Sequence, residues 1–273
     1  MLQAADLAFA YGGAPVLHGV SLDVPAGALV GLIGPNGSGK TTLLRLLAGT
    51  RRPTRGQVTL DGTPLTSLQR GAIARRIAVV PQETHLAFDY SVLEVVLMGR
   101  YAHLGPFEVE GAGDVAIARA SLAATGAAGF EQRAFSTLSG GEKQRVIIAA
   151  ALAQITGADG ACVRGAVLLL DEPTAALDLK YQLGVATLLR SLQRDRDLTI
   201  VVSTHDLPFA AGLCSTLVML KQGRVMACGA AADVLTPSRI RELYGVEVEV
   251  ARHGSTGRIM VVPVRPVEAE PRA

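Results

Sequence analysis

The octapeptide Gly34-Pro35-Asn36-Gly37-Ser38-Gly39-Lys40-Thr41 constrains this chain more than any other feature. It fits the pattern G-x-x-x-x-G-K-[ST], follows the apolar run Ala28–Ile33 and precedes the helical run Thr41–Leu47. Strand, glycine turn and helix in that order make a phosphate cradle. The glycines let backbone N–H groups turn inward on a β-phosphate. Lys40 then reaches the β/γ oxygens, and the Thr41 hydroxyl can ligate Mg²⁺.

A phosphate site of this kind needs a carboxylate for the metal on a neighbouring strand. Val167-Leu168-Leu169-Leu170-Asp171-Glu172 supplies it: four apolar residues, then two acids at the carboxyl end, where open parallel sheets bind their ligands. Alternation along a strand points the two acids to opposite faces, so they serve different purposes. Asp171 is expected to orient Mg²⁺ and its waters, and Glu172 to polarise an attacking water. The chain is therefore expected to be a nucleotide hydrolase or a nucleotide-driven switch.

The rest of the sequence places this site in its architecture. Strand patterns at Leu2–Tyr11, Val16–Val24, Gln57–Leu60 (with an Asp61-Gly62 turn) and Ile77–Val80 fill the first part of the chain. From Tyr90 to Gln154 the period becomes helical, at Val92–Leu97, Val115–Ala124 and Glu142–Gln154. Strands return at Val167–Leu170, Thr199–Ser203 and Leu217–Leu220, with a helix over Lys180–Gln193. Strand–helix–strand alternation implies parallel crossovers, so a helical block is inserted into an α/β core. Val246–Val250 and Arg258–Val262 form a terminal hairpin, and Pro263–Ala273 is expected to fray.

Composition removes several function classes. A chain of 273 residues with 49% hydrophobic and 18% charged residues is neither a disordered nor a solvating segment. Its 26 basic and 24 acidic side chains leave a net charge of +2, which gives no nucleic-acid stripe and no polybasic anchor. Apolar runs stop at about eight residues, as in Val146–Ala153, where a membrane span needs roughly 20. Met1–Asp6 lacks the basic and apolar regions of a secretory signal. Cys162, Cys214 and Cys228 fit no metal spacing.

Leu138-Ser139-Gly140-Gly141-Glu142-Lys143-Gln144-Arg145 is a second phosphate-competent helix start. Ser139 and Glu142 make a capping box opening the helix to Gln154. The two glycines weaken the helix and leave N–H groups bare on its dipole. One chain needs one phosphate cradle. A second, in the inserted block, makes sense when it completes the site of another copy, which demands a head-to-tail pair with two composite sites.

The phosphate loop, Leu138–Arg145, Leu168–Asp178 (LLLDEPTAALD) and Ser203-Thr204-His205-Asp206, in this order, resemble the ATP-binding cassette ATPases over nearly the whole chain. The resemblance implies a P-loop, RecA-like α/β core with a mainly parallel sheet, an N-terminal antiparallel β subdomain and an inserted helical subdomain. The core with its β part would occupy residues 1–85 and 161–245, the helical part 86–160, and the hairpin and tail 246–273.

It implies that ATP and Mg²⁺ bind at Asn36, Gly37, Ser38, Gly39, Lys40, Thr41 and Thr42, with Tyr11 stacking on adenine. Gln82 would sense the metal and γ-phosphate, joining Thr41 and Asp171 around Mg²⁺. Catalysis would fall to Glu172, His205 and Lys40. Ser139, Gly140, Gly141 and Asp178 would act on the site of the partner copy. Ala175-Ala176 stands where the family often has Ser-Ala, and Ala150 where an arginine is common.

The same resemblance implies separate permease subunits, docked between core and helical block near Gln82 to Leu104, at the cytoplasmic face of the cell membrane. Val92–Gly105 and Ala231–Val246 resemble importers of ferric siderophores, haem and cobalamin, which work with a periplasmic or surface binding protein. The insertion Ile155–Gly165 resembles the haem branch. Two other classes share the catalytic residues: exporter ATPases, and cassette ATPases outside transport, which carry coiled coils or paired cassettes.

Overall fold

The computed structural model describes residues 1–175, 177–255 and 257–267. Ala176, within the expected Leu168–Asp178 motif, and 268–273, within the expected frayed end, lie outside the described residues. In chain order the elements begin with β1 (Leu2–Tyr11), β2 (Ala14–Val24), β3 (Leu29–Ile33), α1 (Lys40–Leu47), β4 (Arg55–Leu60) and β5 (Thr63–Pro64). They continue with α2 (Arg70–Ala74), β6 (Ile77–Val80), α3 (Val92–Leu97), α4 (Ala112–Ala124), α5 (Gly140–Gln154) and β7 (Val167–Asp171). The last are α6 (Leu179–Arg196), β8 (Thr199–Thr204), α7 (Leu207–Leu213), β9 (Thr216–Lys221), β10 (Arg224–Gly229), α8 (Ala231–Val234), α9 (Pro237–Tyr244), β11 (Val246–Arg252) and β12 (Ile259–Pro266).

Three sheets result. The central one runs β10-β9-β3-β8-β7-β6, parallel throughout except for the antiparallel β10 at its edge. Its inner strands are apolar on both faces because both are covered: Leu168, Leu169 and Leu170 of β7 are each 0% exposed. Truncating any one of them to Ala costs about 2–5 kcal/mol. The second sheet, β2-β1-β4-β5, is antiparallel, with Leu60 facing Thr63 across the Asp61-Gly62 turn. Helices α3, α4 and α5 pack on one another through Val92, Val96, Ala118, Leu122, Val146 and Ala149, a cluster separate from those around the sheets.

Arg100 fastens that helical cluster. It is 2% exposed, and its Nη1 donates to the carbonyls of Ala153 and Thr156 at 2.6 Å, just where α5 runs out of partners. Nε donates to Asp114 at 2.9 Å. The insertion after α5 folds back tightly, Gly157 N–H to Ala161 O and Val163 N–H to Ile155 O, both 2.8 Å.

Two departures from the sequence expectation have clear causes. β12 continues past Pro263 to Pro266, pairing Pro263 with Val248 and Pro266 with Val246. A two-stranded sheet leaves one side of each strand open, where a proline loses no ladder bond. β10 is a strand the periodicity did not show. Gln222 and Gly223 both have positive φ, 46° and 72°, and turn β9 back on itself as a two-residue hairpin.

Candidate active site

β3 is buried at all five positions and delivers the chain to the loop at the carboxyl edge of the sheet. Gly39 ends the loop as the N-cap of α1 with φ 104°, and a Cβ there would lie 2.7 Å from Leu17 Cδ2. Only glycine meets both conditions. Lys40 is 6% exposed; its Nζ donates to the carbonyls of Gly34 at 2.7 Å and Pro35 at 3.2 Å. The Ser38 hydroxyl is buried with no hydrogen-bond partner. A cradle that holds one orphaned hydroxyl and one buried ammonium fits a phosphate chain.

On the neighbouring strands Asp171 faces Ser203 in parallel register. The Ser203 hydroxyl, 0% exposed, donates to Asp171 Oδ1 at 2.5 Å and accepts from the Glu172 N–H at 3.2 Å. Strand β7 stops at Asp171, and Glu172 has φ 48°. The two acids are thus parted by a left-handed residue, and not by the pleat alternation expected from the sequence. A non-glycine residue in that region carries strain of about 1–3 kcal/mol, and such strain gathers at functional sites. The turn aims the Glu172 carboxylate at the phosphate loop: Oε1 lies 3.5 Å from Lys40 Nζ, and Oε2 lies 2.7 Å from His205 Nδ1. An ionised carboxylate only accepts, so that bond puts the imidazole proton on Nδ1.

Residues 36–42, Val16, Gln82, Glu172 and His205 line one cavity of about 400 Å³. Asn36, Gly37, Ser38, Gly39, Lys40, Thr41, Thr42, Gln82, Glu172 and His205 are therefore brought together. Asp171 sits behind them, 7% exposed and tied to Ser203. Thr41, Gln82 and Asp171 supply only oxygen donors, the set that suits Mg²⁺. Among the described residues no group of three His, Cys, Asp or Glu side chains forms a metal cluster.

Four predicted residues stand apart from the cavity. Ser139 caps α5, Glu142 completes the capping box, and Ser139 and Gly140 are exposed. Gly141 is buried, and a Cβ on it would fall 2.2 Å from the Tyr181 ring. The second glycine is thus required by packing against α6, a reason the capping pattern did not show. Asp178 is exposed and caps α6 through the Tyr181 N–H.

Tyr11 is also outside the cavity's lining. Its hydroxyl accepts from Arg45 at 3.3 Å, the Arg51 guanidinium lies 6.0 Å from its ring, and Phe9 meets it edge-on. The Arg45 bond holds the phenol below its ordinary pKa. Val16, which lines the cavity, was not singled out from sequence, and Ser203, though part of the Ser203–Asp206 motif, was given no role of its own. The register of β8 beside β7 is what gives Ser203 its part, opposite Asp171.

The fold and this cavity define a P-loop ATPase of the cassette type. Residues 17–175 match the family described as ABC transporter, and the chain belongs to the ABC transporter ATPase family. It is 43% identical over 263 residues to the hemin import ATP-binding protein HmuV of Bordetella pertussis, covering 96% of this chain and 98% of that one. It is 41% identical over 252 residues to the cobalamin import ATP-binding protein BtuD of Halobacterium salinarum, covering 92% of this chain and 61% of that protein. A solved structure described as an inward-facing ABC transporter of the metal-chelate type superposes with TM-score 0.82 at 30% identity, over 96% of both chains. Among the described residues no helix is long and apolar enough to cross a membrane.

Proposed function

We propose that this chain is the nucleotide-binding subunit of an ABC importer for haem, cobalamin or an iron chelate. It would act peripherally at the cytoplasmic face of the cell membrane on permease subunits encoded separately, fed by an external binding protein. The two import ATPases matched over more than nine-tenths of this chain carry the reading of direction and cargo class. The Lys40–Glu172–His205 arrangement carries the reading of chemistry.

Glu172 takes a proton from the attacking water through Oε2, held in aim by His205 Nδ1–H. Lys40, released from the Gly34 and Pro35 carbonyls, binds the β/γ oxygens and offsets the charge that develops there. Mg²⁺, when bound through Thr41, Gln82 and Asp171, supplies Lewis-acid charge stabilisation. Ser203 keeps Asp171 and the Glu172 backbone in register. Tyr11 serves the adenine. Ser139, Gly140 and Gly141 serve the γ-phosphate of a partner copy and Asp178 the interface, so that closure of a head-to-tail homodimer is what ATP favours. The exposure of Ser139, Gly140 and Asp178 supports that reading, since besides capping α5 and α6 they stand open to a second copy. Residues 1–85 with 161–245, and 86–160, act as the two bodies of each clamp, with the groove between them receiving the permease.

The test is reconstitution with the permease encoded nearby in liposomes, and the ATPase rate with binding protein charged with haem, cobalamin or a ferric siderophore. Stimulation by one loaded binding protein names the cargo. A partner complex that pumps outward, or no stimulation by any of the three, overturns the import reading.

A further inference from the structure

A second cleft, of about 340 Å³, lies between α6, α7 and the start of β12. Its walls are mainly apolar: Leu179 and Leu183 of α6, Pro208 and Phe209 of α7, Ile259 and Met260 of β12. Helix α6 buries Val185, Leu189 and Leu192 in the core. Leu179 and Leu183, four residues apart, share a different face of it. They are 71% and 55% exposed.

The hairpin repeats the pattern. An antiparallel strand covered on one side alternates apolar inward with polar outward. β12 does not. Ile259 and Val261 pack on the core, while Met260 and Val262, on its other face, are 37% and 51% exposed. A strand that is apolar on both faces fits a cover on both. Residues 268–273 contain no apolar side chain larger than proline to supply it.

Two neighbours say which surface meets the cleft. Asp178 caps α6 immediately before Leu179. Asp206, also in the cleft's lining, follows His205 of the nucleotide cavity. The cleft thus continues the surface, from Asp178 to the nucleotide cavity, that the proposed homodimer turns toward its partner copy. A two-fold contact needs a patch that fits itself. This patch holds both halves: an outstanding pair of leucines and an apolar cleft beside them.

We propose that the cleft is a self-association surface, in which Leu183 of one copy seats against Met260 of the second copy, and the reverse. The inference rests on the homodimer reading given above. It gives the C-terminal hairpin, outside the matched family residues 17–175, a part in joining the copies. Burial of apolar surface there favours the pair beside, and in addition to, the two nucleotide sites.

The test measures the dimer dissociation constant by analytical ultracentrifugation in ATP and Mg²⁺, with Glu172→Gln as the parent. Adding Leu183→Glu or Met260→Lys is expected to weaken dimerisation at least tenfold. One-chain nucleotide affinity and the nucleotide-free unfolding midpoint should match the parent, because both side chains stand open in the single copy. Mixing the Leu183→Glu chain with the Met260→Lys chain should give a heterodimer tighter than either chain forms with itself, since opposite charges then meet across the contact. An unchanged dissociation constant in both variants, beside a dimeric parent, overturns the role of the cleft alone. A lowered midpoint with a weaker dimer and no gain on mixing also overturns it, in favour of simple packing. Loss of co-purification with the permease while the dimer is unchanged overturns it in favour of that partner. A parent that stays monomeric overturns the homodimer reading, and this inference with it.

Discussion

The carboxylate of Glu172 and the imidazole of His205 meet at 2.7 Å, although the two residues lie on different strands' ends and 33 positions apart. The contact exists because β7 and β8 are parallel neighbours with Asp171 opposite Ser203. Each strand spends one more residue at the same edge of the sheet. The histidine side chain is 59% exposed and the glutamate 9%, so the pair has one member facing the cavity mouth and one at its floor.

Replacing the base tests this pair directly. Glu172→Gln keeps the shape and removes the proton acceptor, and kcat should fall about 10²- to 10⁴-fold. Nucleotide affinity should stay or rise, since Gln no longer competes with phosphate for Lys40. In ATP and Mg²⁺ the variant should migrate as a dimer on size-exclusion chromatography; a strictly monomeric peak would count against composite sites.

The second helix start is tested by bulk. If the donors at this helix start serve a partner's phosphate as proposed, Ser139→Arg should lower ATP hydrolysis about 10²-fold or more, while one-chain nucleotide binding persists. The substitution also removes an N-cap worth ~1 kcal/mol. Ser139→Ala removes that cap alone, so its unfolding midpoint reports the structural share. An unaltered hydrolysis rate in Ser139→Arg would sink the trans role.

Arg100 is a structural prediction. Its guanidinium satisfies two carbonyls at the end of α5 and pairs with the partly buried Asp114. Removing one member of such a pair leaves the other without compensation, so Arg100→Met should destabilise the chain by about 3 kcal/mol in urea unfolding. Arg100→Lys should recover only part, because an ammonium cannot make the same fork of bonds. Full stability in either variant would refute the clamp.

His103 carries a pH prediction. Burial lowers its pKa, with Arg100 and Arg75 adding to the effect against Asp114 and the Nε2–H bond to the Gln154 carbonyl at 2.7 Å. A folded pKa below the unfolded value, about 6.5, means that the unfolded state binds more protons. The stabilisation is complete above that value and is lost as pH falls through the lower, folded one. Asp114 is also held below its usual range: the Arg100 bond and the Gly111 N–H outweigh its burial. Both groups therefore weaken the helical part on acidification. Wild-type unfolding free energy should fall from pH 7 to pH 5, and His103→Gln should flatten that slope; identical slopes would exclude His103.

Local chemistry made much of this molecule legible from sequence. Gly39, Lys40 and Thr41 carry their function in their own covalent structure and spacing, and the apolar run Val167–Leu170 admits only a buried strand. Ser139 and Glu142 form their capping box within a single turn, so it needed no tertiary information. What sequence could not carry was anything set by approach between elements. Glu172 was identified as a water-polarising acid, but the left-handed turn that parts it from Asp171 arises because β7 ends one residue earlier. Gly141 was read as an open anion site, and the structure seats the Tyr181 ring against it. Ser203 stood in a motif read for His205, and its hold on Asp171 became visible only from the distance between them. Short-range sterics and hydrogen bonding fix motifs and caps; parallel register and helix docking, which act between residues far apart in the chain, decide which side chains share a site.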